Sequence, residues 1–306
     1  MRTISVLIPT YNAEKHICQL LNGITNQRLN ESGRLEIIIV DSSSTDKTIK
    51  NVINNFPGVK VFVIDNKDFD HGGTRNYLAS LASGEYLLFM TQDAIPFDNN
   101  LIINLISEFE DNRVDIVYAR QIPKPDASPI EVFLREFNYP DKRIVKDKNC
   151  LKELGIKTFF NSNVCSMYRR STFNSLGGFP ENIILNEDMV LAAKVILNGN
   201  KVVYNNKAKV FHSHNYTLPQ QFKRYFDIGM AFEQTKYLQK YASNEREGFK
   251  FFINLLGYLI KNKKINKLPY AFVETLCKYI AYILGRKHYY LPKQIKVRLS
   301  AYTRKE

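Results

Sequence analysis

The first 120 residues alternate short apolar runs with amphipathic segments, and this alternation constrains the fold more than any other feature. Residues 4–8 form an apolar run closed by Pro9, and apolar side chains then recur at helical spacing at positions 17, 20, 21 and 24. Runs at 36–40, 59–64, 86–90 and 115–118 alternate in the same way with helical patterns at 49–56, 74–82 and 101–109. Strands and helices in this order predict an open, mostly parallel sheet flanked by helices, with ligand sites at the carboxyl ends of its strands.

Beyond residue 120 the pattern is less regular. Residues 121–147 contain four prolines and many charges, so we predict a surface excursion over the active face. Strand and helix patterns return at 164–168, 189–196 and 201–204, and two amphipathic helices follow residue 246. Their apolar stripes are Phe249, Phe252, Ile253, Leu256 and Ile260, then Val273, Leu276, Cys277, Ile280 and Leu284. We therefore predict an α/β domain of residues 1–245 and a basic helical extension of residues 246–306.

Composition excludes several classes of protein. With 306 residues and 44% hydrophobic content, the chain can bury a full α/β core. The four cysteines form no Cys-x-x-Cys pair, which argues against a disulfide framework or a zinc ribbon and fits a reducing, cytoplasmic setting. The N-terminus lacks the apolar region of a signal peptide, and no apolar stretch reaches the about 18 residues of a membrane-spanning helix.

The net charge of +13 is concentrated at the C-terminal end. Residues 246–306 carry 14 Lys/Arg against 3 Asp/Glu, which indicates an anionic partner such as a membrane surface or a nucleic acid. We predict no nucleic-acid partner, because no DNA- or RNA-binding signature is present and the basic residues do not gather around aromatic ones. A non-catalytic polyanion-binding protein is the alternative from another functional class.

Polar segments follow the first two predicted strands, and their sequences are similar to those of a known protein family. Residues 9–12 read Pro-Thr-Tyr-Asn and residues 41–46 read Asp-Ser-Ser-Ser-Thr-Asp. With their strands they resemble the opening of inverting family 2 glycosyltransferases, a resemblance that covers about residues 1–245 and implies a Rossmann-like GT-A fold. It implies that the donor nucleotide is bound by Pro9, Thr10, Tyr11, Asn12, Asp41 and Ser43. Asp41 would accept a hydrogen bond from the imide of a pyrimidine base; alternatively, Asp41 and Asp46 only cap the next helix.

Residues 69–76, Phe-Asp-His-Gly-Gly-Thr-Arg-Asn, are the most distinctive stretch. Its glycines permit close backbone approach, a helix start offers N–H groups to an anion, and a guanidinium suits a diphosphate. The stretch resembles a motif of bacterial rhamnosyltransferases of polysaccharide and O-antigen synthesis, which implies dTDP-L-rhamnose as the donor. Contacts to its diphosphate and sugar are expected from His71, Arg75, Thr91 and Gln92. A UDP-hexose donor and a purely structural His71 are the alternatives.

Thr91-Gln-Asp93 follows the fourth strand, where the family carries its Asp-x-Asp metal motif, and here Thr91 replaces the first carboxylate. Asp93 can still bind Mg²⁺ or Mn²⁺ together with phosphate oxygens. His212 and His214 follow a later strand, and two alternating residues share one strand face, so either imidazole could reach the metal. The alternatives are that Asp93 only caps a helix and that both histidines lie at the surface.

Glu187 and Asp188 precede a predicted helix and resemble the family's Glu-Asp motif, which implies that Asp188 deprotonates the acceptor hydroxyl. The alternative is an ordinary acidic residue at a helix N-terminus. Weaker candidates for the acceptor or sugar pocket are Asn161, Asn163 and Glu187. We predict a polyprenyl-diphosphate-linked glycan as acceptor, reached on the inner face of the plasma membrane by residues 246–306 lying on anionic lipid. Alternatively, both C-terminal helices only pack on the catalytic domain.

Overall fold

The structure is a computed structural model that describes residues 3–29, 33–241 and 247–303, without the side chains of Glu247 and Phe249. The chain divides into two compact units. One contains Met1–Ile122, Tyr139–Asn182 and Glu187–His212, and the other contains Pro123–Asn138, Ile183–Asn186 and Ser213–Glu306. The domain boundary expected after residue 245 lies outside the described residues and stays a prediction.

A mixed β-sheet forms the centre of the first unit. Its strands are β1 (Thr3–Thr10), β2 (Arg34–Asp41), β3 (Lys60–Val63), β4 (Tyr86–Met90), β5 (Ile95–Pro96), β6 (Val114–Ile122), β7 (Ile144–Lys146), β8 (Cys165–Arg169) and β9 (Lys201–Phe211). Their order is β3-β2-β1-β4-β8-β6-β9-β5, and β7 pairs with β9. Strands β3, β2, β1 and β4 are parallel, as is the pair β6 and β9, whereas β8 runs antiparallel to both of its neighbours.

The helices of the first unit are α1 (Ile17–Thr25), α2 (Thr48–Asn55), α3 (His71–Leu81), α4 (Leu101–Ile106), α6 (Leu151–Leu154), α7 (Arg170–Ser175) and α8 (Glu187–Leu197). Those of the second unit are α5 (Pro129–Asn138), α9 (Leu218–Gln234), α10 (Glu247–Lys261), α11 (Leu268–Arg286) and α12 (Lys293–Leu299). The apolar stripe predicted for α1 is buried in one cluster with β1 and β4, so the alternating strand and helix pattern is confirmed.

The segment 121–147, which was predicted to be a surface excursion, contains more regular structure than its prolines indicated. It contains α5, whose first residue is Pro129, and the short strand β7. Proline is well tolerated at the first helical position because its missing N–H has no partner there. Pro140 comes two residues after the helix ends at Asn138, so the prolines bound the helix and do not prevent it.

In its described residues, the second unit has helices as its only regular structure. Ile130 and Phe133 of α5 pack with Leu255 and Leu259 of α10 and with Ala271 of α11. Helix α9 lies unusually close to α11, since a methyl group at Gly285 would overlap the carbonyl of Phe226. None of the helices in the described parts of the chain is long and apolar enough to cross a membrane.

Helix α11 does not pack on the protein through the apolar stripe that its sequence predicted. Its buried residues are Ala271, Glu274, Lys278, Ala281 and Gly285. Three of the five residues of the expected stripe are exposed, Val273 by 49%, Leu276 by 47% and Ile280 by 45%. The other two, Cys277 and Leu284, are partly buried. The small residues fit the close contact with α9, which leaves the larger apolar side chains on the other side. The alternative in which the stripe only packs on the protein therefore does not hold for the three exposed residues of α11.

Candidate active site

The ends of β1 and β2 bring the first two predicted motifs together. Thr10 and Asp41 are register partners, and the Thr10 hydroxyl donates to the Asp41 carboxylate at 2.7 Å. The amide and the hydroxyl of Ser44 donate to the same carboxylate, each at 2.7 Å. Asp41 is completely buried. A carboxylate has about four acceptor positions, so about one remains for a ligand donor.

Asp46, and not Asp41, accepts hydrogen bonds from the start of the helix that follows β2. The Asp46 carboxylate accepts from the amide and the hydroxyl of Thr48, the first residue of α2. These hydrogen bonds hold the pKa of Asp46 below its usual value although burial raises it. Asp46 therefore contacts the start of α2 and also accepts from the Glu14 amide at 3.1 Å, so it does not only cap that helix. Asp41 lies at the end of β2.

Of the remaining residues of the predicted nucleotide site, Pro9 lies within β1, and Tyr11, Asn12 and Ser43 lie in turns after the strands. Pro9 pairs with Val40 inside the sheet, and Asn12 adopts a left-handed conformation with φ 49°. The Tyr11 side chain is 46% exposed, and its backbone amide and carbonyl both hydrogen bond with the Gln92 side chain. Ser43 also has a positive φ of 59°, and its hydroxyl donates to the Ile64 carbonyl.

The two glycines of the His71–Asn76 stretch do not have the role expected from their sequence. Helix α3 begins at His71, and the carboxylate of Asp70 already accepts from the Gly73 amide at 2.6 Å. A side chain at Gly72 would overlap the Pro180 carbonyl. The close approach is therefore between two segments of the protein, and the Gly73 amide is already bound by Asp70. Anion binding at the rest of this helix start stays a prediction.

Asn76 and Arg75 make further contacts between α3 and the segments that precede and begin α8. The Asn76 amide donates to the Phe179 carbonyl and accepts from the Phe179 amide, both at 2.9 Å. The Arg75 guanidinium lies 3.3 Å from the Glu187 carboxylate, and both side chains are less than 8% exposed. Arg75 also donates to the His71 carbonyl at 2.8 Å. The stretch thus connects α3 with the start of α8.

Asp188 is the most perturbed acid of this cluster. Its carboxylate accepts from the amides of Asn163 and Met189, at 3.0 and 2.7 Å. Burial, and next the negative charge of Glu187, raise the pKa of Asp188 to about 7. Burial also acts to raise the pKa of Glu187, but the charges of Arg75 and His71 outweigh it and hold that pKa below its usual value. One carboxylate therefore stays charged while its neighbour titrates near neutral pH.

Asn161 and Asn163 support this pair and are themselves buried. The Asn163 amide donates to Glu187 at 3.1 Å, and its oxygen accepts from the Tyr168 hydroxyl at 2.6 Å. Asn161 donates to the same hydroxyl and accepts from Ser166. Their predicted contact with a sugar stays a prediction, because the bonds in the structure go to other side chains of the protein.

Asp93 and His212 form a pair of potential metal ligands, with the His212 Nε2 3.6 Å from the carboxylate. The Gln121 amide donates to the Tyr139 and Ser162 hydroxyls, so its oxygen faces the His212 Nδ1 at 2.9 Å. That contact places the imidazole proton on Nδ1 and leaves the lone pair of Nε2 toward Asp93. The buried Thr91 hydroxyl has no hydrogen-bond partner among the residues described.

The structure changes the argument for the second histidine. Strand β9 ends at Phe211, so strand alternation does not apply to residues 212–214. His214 belongs to the second unit, where its ring stacks on Tyr216 with centroids 4.9 Å apart. His212 is thus joined to Asp93 by geometry, and His214 stays a predicted ligand.

Sequence reasoning missed two buried polar residues near these groups. Gln121 orients His212, and Lys146 inserts its ammonium beside the Tyr118 hydroxyl and the Phe160 carbonyl. Burial lowers the pKa of Lys146 to about 7, although Cys150 and Asp188 act to raise it. Nothing in the local pattern indicated either role, because Lys146 lies in a charge-rich stretch that is typical of a surface.

We expect Arg75→Gln to lower the free energy of unfolding by about 3–5 kcal/mol, because the Glu187 carboxylate would stay buried without its counter-ion. Adding Glu187→Gln in the same chain should recover much of this loss. Urea unfolding measures both changes. The exposed pair of Arg113 and Asp111 offers the matched control, and Arg113→Gln should leave stability close to wild type. Equal losses in Arg75→Gln and Arg113→Gln would contradict a structural role for the buried pair.

Comparison with known proteins identifies the family. The sequence profile of glycosyl transferase family 2 matches residues 5–177. The chain is 41% identical over 291 residues to the O-antigen chain rhamnosyltransferase RfbN of Salmonella typhimurium, covering 94% of this chain and 91% of that protein. It is 40% identical to the O-antigen chain rhamnosyltransferase WbaN of Salmonella anatum, covering 95% and 92%.

A solved structure with the same fold is the mannosyltransferase PcManGT from Pyrobaculum calidifontis, in complex with GDP-Man and Mn²⁺. It has a TM-score of 0.60 at 17% identity and covers 97% of this chain and 84% of that one. The predicted GT-A fold is thereby confirmed. With a buried acid pair, nucleotide-site motifs at the strand ends and this similarity over nearly its whole length, the chain belongs to glycosyl transferase family 2 and is an inverting glycosyltransferase.

Proposed function

We propose that this enzyme transfers L-rhamnose from dTDP-L-rhamnose to a hydroxyl of a lipid-linked glycan. The observation that carries the proposal is the 41% identity, over 94% of the chain, to a protein named as an O-antigen chain rhamnosyltransferase. The stretch from His71 to Asn76, which resembles a rhamnosyltransferase motif, is complete in this sequence. A UDP-hexose donor is the alternative.

The donor nucleotide would lie across the ends of β1, β2 and β4. The remaining acceptor position of Asp41 suits the imide of thymine, and the exposed Tyr11 ring offers a surface on which the base can stack. Two buried atoms without a hydrogen-bond partner among the residues described, the Arg75 Nε and the Thr91 hydroxyl, suit phosphate or sugar oxygens. Both residues were predicted from sequence to face this part of the donor.

Asp93 and His212 fit a divalent cation. A carboxylate and an imidazole 3.6 Å apart, with the second ring nitrogen held by Gln121, form a ligand pair of the kind that binds Mn²⁺ or Mg²⁺. The related solved mannosyltransferase contains Mn²⁺. His214, two residues further along, remains the candidate for a third ligand. When bound, such a cation supplies positive charge to the departing diphosphate.

Asp188 is the general base in this proposal. Its carboxylate removes the proton from the acceptor hydroxyl, and that oxygen attacks the anomeric carbon from the face opposite the diphosphate. The bond from carbon to diphosphate breaks as the new glycosidic bond forms, so a β-linked donor gives an α-rhamnoside. A base with a pKa near the working pH is half deprotonated there and is still strong enough to accept the proton.

We further propose that the exposed side of α11 binds an anionic membrane that holds the acceptor. Successive helical residues are 100° apart, which puts the exposed side chains in one arc opposite the buried ones. This exposed apolar face consists of Phe272, Val273, Leu276, Tyr279 and Ile280, each between 45% and 63% exposed. No charged residue interrupts it over more than two helical turns. An apolar face of this kind is typical of helices that lie in a membrane interface.

The positive charge near the exposed apolar face favours anionic lipid as its binding partner. Four exposed lysines lie at the end of α10 and in the residues that join it to α11: Lys261, Lys263, Lys264 and Lys267. They would attract anionic lipid headgroups by about 1 kcal/mol each near the surface. A second copy of the same basic region would instead be repelled. An anionic bilayer therefore fits this face better than self-association does.

A donor panel tests the proposed activity. Nucleoside diphosphate release from dTDP-L-rhamnose should be at least roughly tenfold faster than release from UDP-glucose, UDP-N-acetylglucosamine or GDP-mannose, because a shaped sugar pocket discriminates at this level. EDTA should suppress the release, and added Mn²⁺ or Mg²⁺ should restore it. Preference for a UDP-hexose would reassign the donor, and absence of release from every donor would overturn the proposal.

Asp188→Asn should lower kcat by roughly 10²–10⁴-fold while donor affinity stays close to wild type, because only the proton acceptor is lost. In the wild-type enzyme kcat/KM should rise with pH and level off above about 7, since the base acts in its deprotonated form. Asp65→Asn, at an exposed position, is the matched control. Near wild-type turnover in Asp188→Asn would show that another group is the base.

For the membrane, the triple variant F272S/L276S/I280S should partition onto phosphatidylglycerol vesicles roughly a hundredfold less than wild type. Each exposed side chain contributes about 1 kcal/mol when it leaves water. Vesicle flotation measures the change. Ile53 and Val63, exposed apolar residues of the first unit, supply the control I53S/V63S. Unchanged flotation of the triple variant, or its conversion from a dimer to a monomer in lipid-free solution, would contradict membrane binding by this face.

A further inference from the structure

The second unit contains a cavity of about 220 Å³ that no role described so far accounts for. Its wall is formed by the first turns of α5, α9 and α11 and by residues 214–216. The volume is below the about 300–1,000 Å³ that is usual for drug-sized ligands. The cavity therefore has the size of a site for one small ring.

Two acids in the wall are buried, and each is already neutralised. The Glu131 carboxylate pairs with Arg135 at 2.7 Å, and the Glu274 carboxylate pairs with Lys278 at 2.5 Å. All four side chains are 10% exposed or less. In the part of the chain that the structure describes, no lysine or arginine lines the cavity itself, and both acids are already paired, so neither a phosphate nor a cation finds an open counter-ion in its wall. A further cation nearby, Arg224, lies over the Tyr216 ring, 5.7 Å from its centroid. Neutral ligands match this balance best.

The polar atoms of the wall suit hydroxyl groups. Gln221 is buried and donates to the Glu274 carboxylate at 3.3 Å, which orients both groups. The Glu131 carboxylate also accepts from the His214 amide. Carboxylates bind hydroxyl donors strongly, because a hydrogen bond to a charged acceptor is about twice as strong as a neutral one.

One part of the wall is aromatic. Tyr270, in the first turn of α11, lines the cavity and is 41% exposed, and Ile130 adds an apolar surface. An aromatic ring beside paired carboxylates and amides matches a sugar, which has hydroxyls at its edge and C–H groups on its faces. Amphipathic aromatic side chains are suited to such a ligand because they combine an apolar face with a polar tip.

We propose that this cavity binds one neutral sugar unit of the acceptor glycan. The proposal rests on the glycosyltransfer proposed above. The residues assigned to the donor belong to the first unit, and the anionic donor does not match a cavity that no described lysine or arginine lines. The wall residue His214 follows His212, the proposed cation ligand, by two residues in the sequence.

The chain contains no tryptophan, which permits a direct binding test. Tyr270→Trp introduces a single indole in the wall, and its emission should change saturably with methyl glycosides of neutral hexoses, 6-deoxyhexoses or N-acetylhexosamines. Methyl glucuronide should bind more weakly, because its carboxylate would face Glu131 and Glu274. Tyr237→Trp, at an exposed position of the same unit that does not line the cavity, is the control and should not respond.

The glycoside that binds is then used as acceptor. Tyr270→Ala should raise its KM roughly threefold to tenfold with donor KM unchanged, because only the aromatic contact is lost. Tyr237→Ala should leave both values unchanged. A Tyr270→Trp response to Mn²⁺ or pyrophosphate alone, or to no glycoside, would overturn the sugar site. Saturable glycoside binding by an enzyme that transfers no sugar would leave the sugar site standing and overturn the proposed transfer.

Discussion

The buried ion pair between Arg75 and Glu187 holds the candidate active site together. It joins α3 to α8, two helices more than a hundred residues apart in sequence, and it lies next to Asp188. Burial weakens the solvation of every charge in the cluster, so the pair keeps Glu187 ionised while its negative charge raises the pKa of Asp188. A stretch that resembles a donor-binding motif therefore also determines the environment of the base.

The sheet explains why short motifs far apart in sequence belong to one site. Strands β2, β1 and β4 are parallel neighbours, so the residues after them emerge at the same edge. The hydrogen bonds from Thr10 to Asp41 and from Tyr11 to Gln92 connect those three strand ends directly. Gln121, at the end of β6, then orients His212 beyond the end of β9. Each contact joins turns that the sheet has already brought close together.

The strands, most helices and the main motifs could be predicted because local periodicity reports burial in a regular element. Gly72, Gln121 and Lys146 could not, since their roles depend on Pro180, Tyr139 and Phe160, which periodicity does not connect to them. The packed face of α11 was predicted wrongly for a different reason. Its apolar stripe would normally mark the packed face, but small residues and one ion pair occupy that face here.

The exposed apolar face of α11 also has a consequence for the protein in solution. Repulsion between copies of the basic C-terminal region acts over roughly 10 Å at 0.1 M ionic strength and only about 3 Å at 1 M. High salt therefore removes the force that separates neighbouring molecules, while the contact between their apolar surfaces is strengthened by salting-out ions such as sulfate. Colloidal stability of this enzyme should consequently decrease as ionic strength rises, the reverse of proteins whose aggregation is driven by opposite charges.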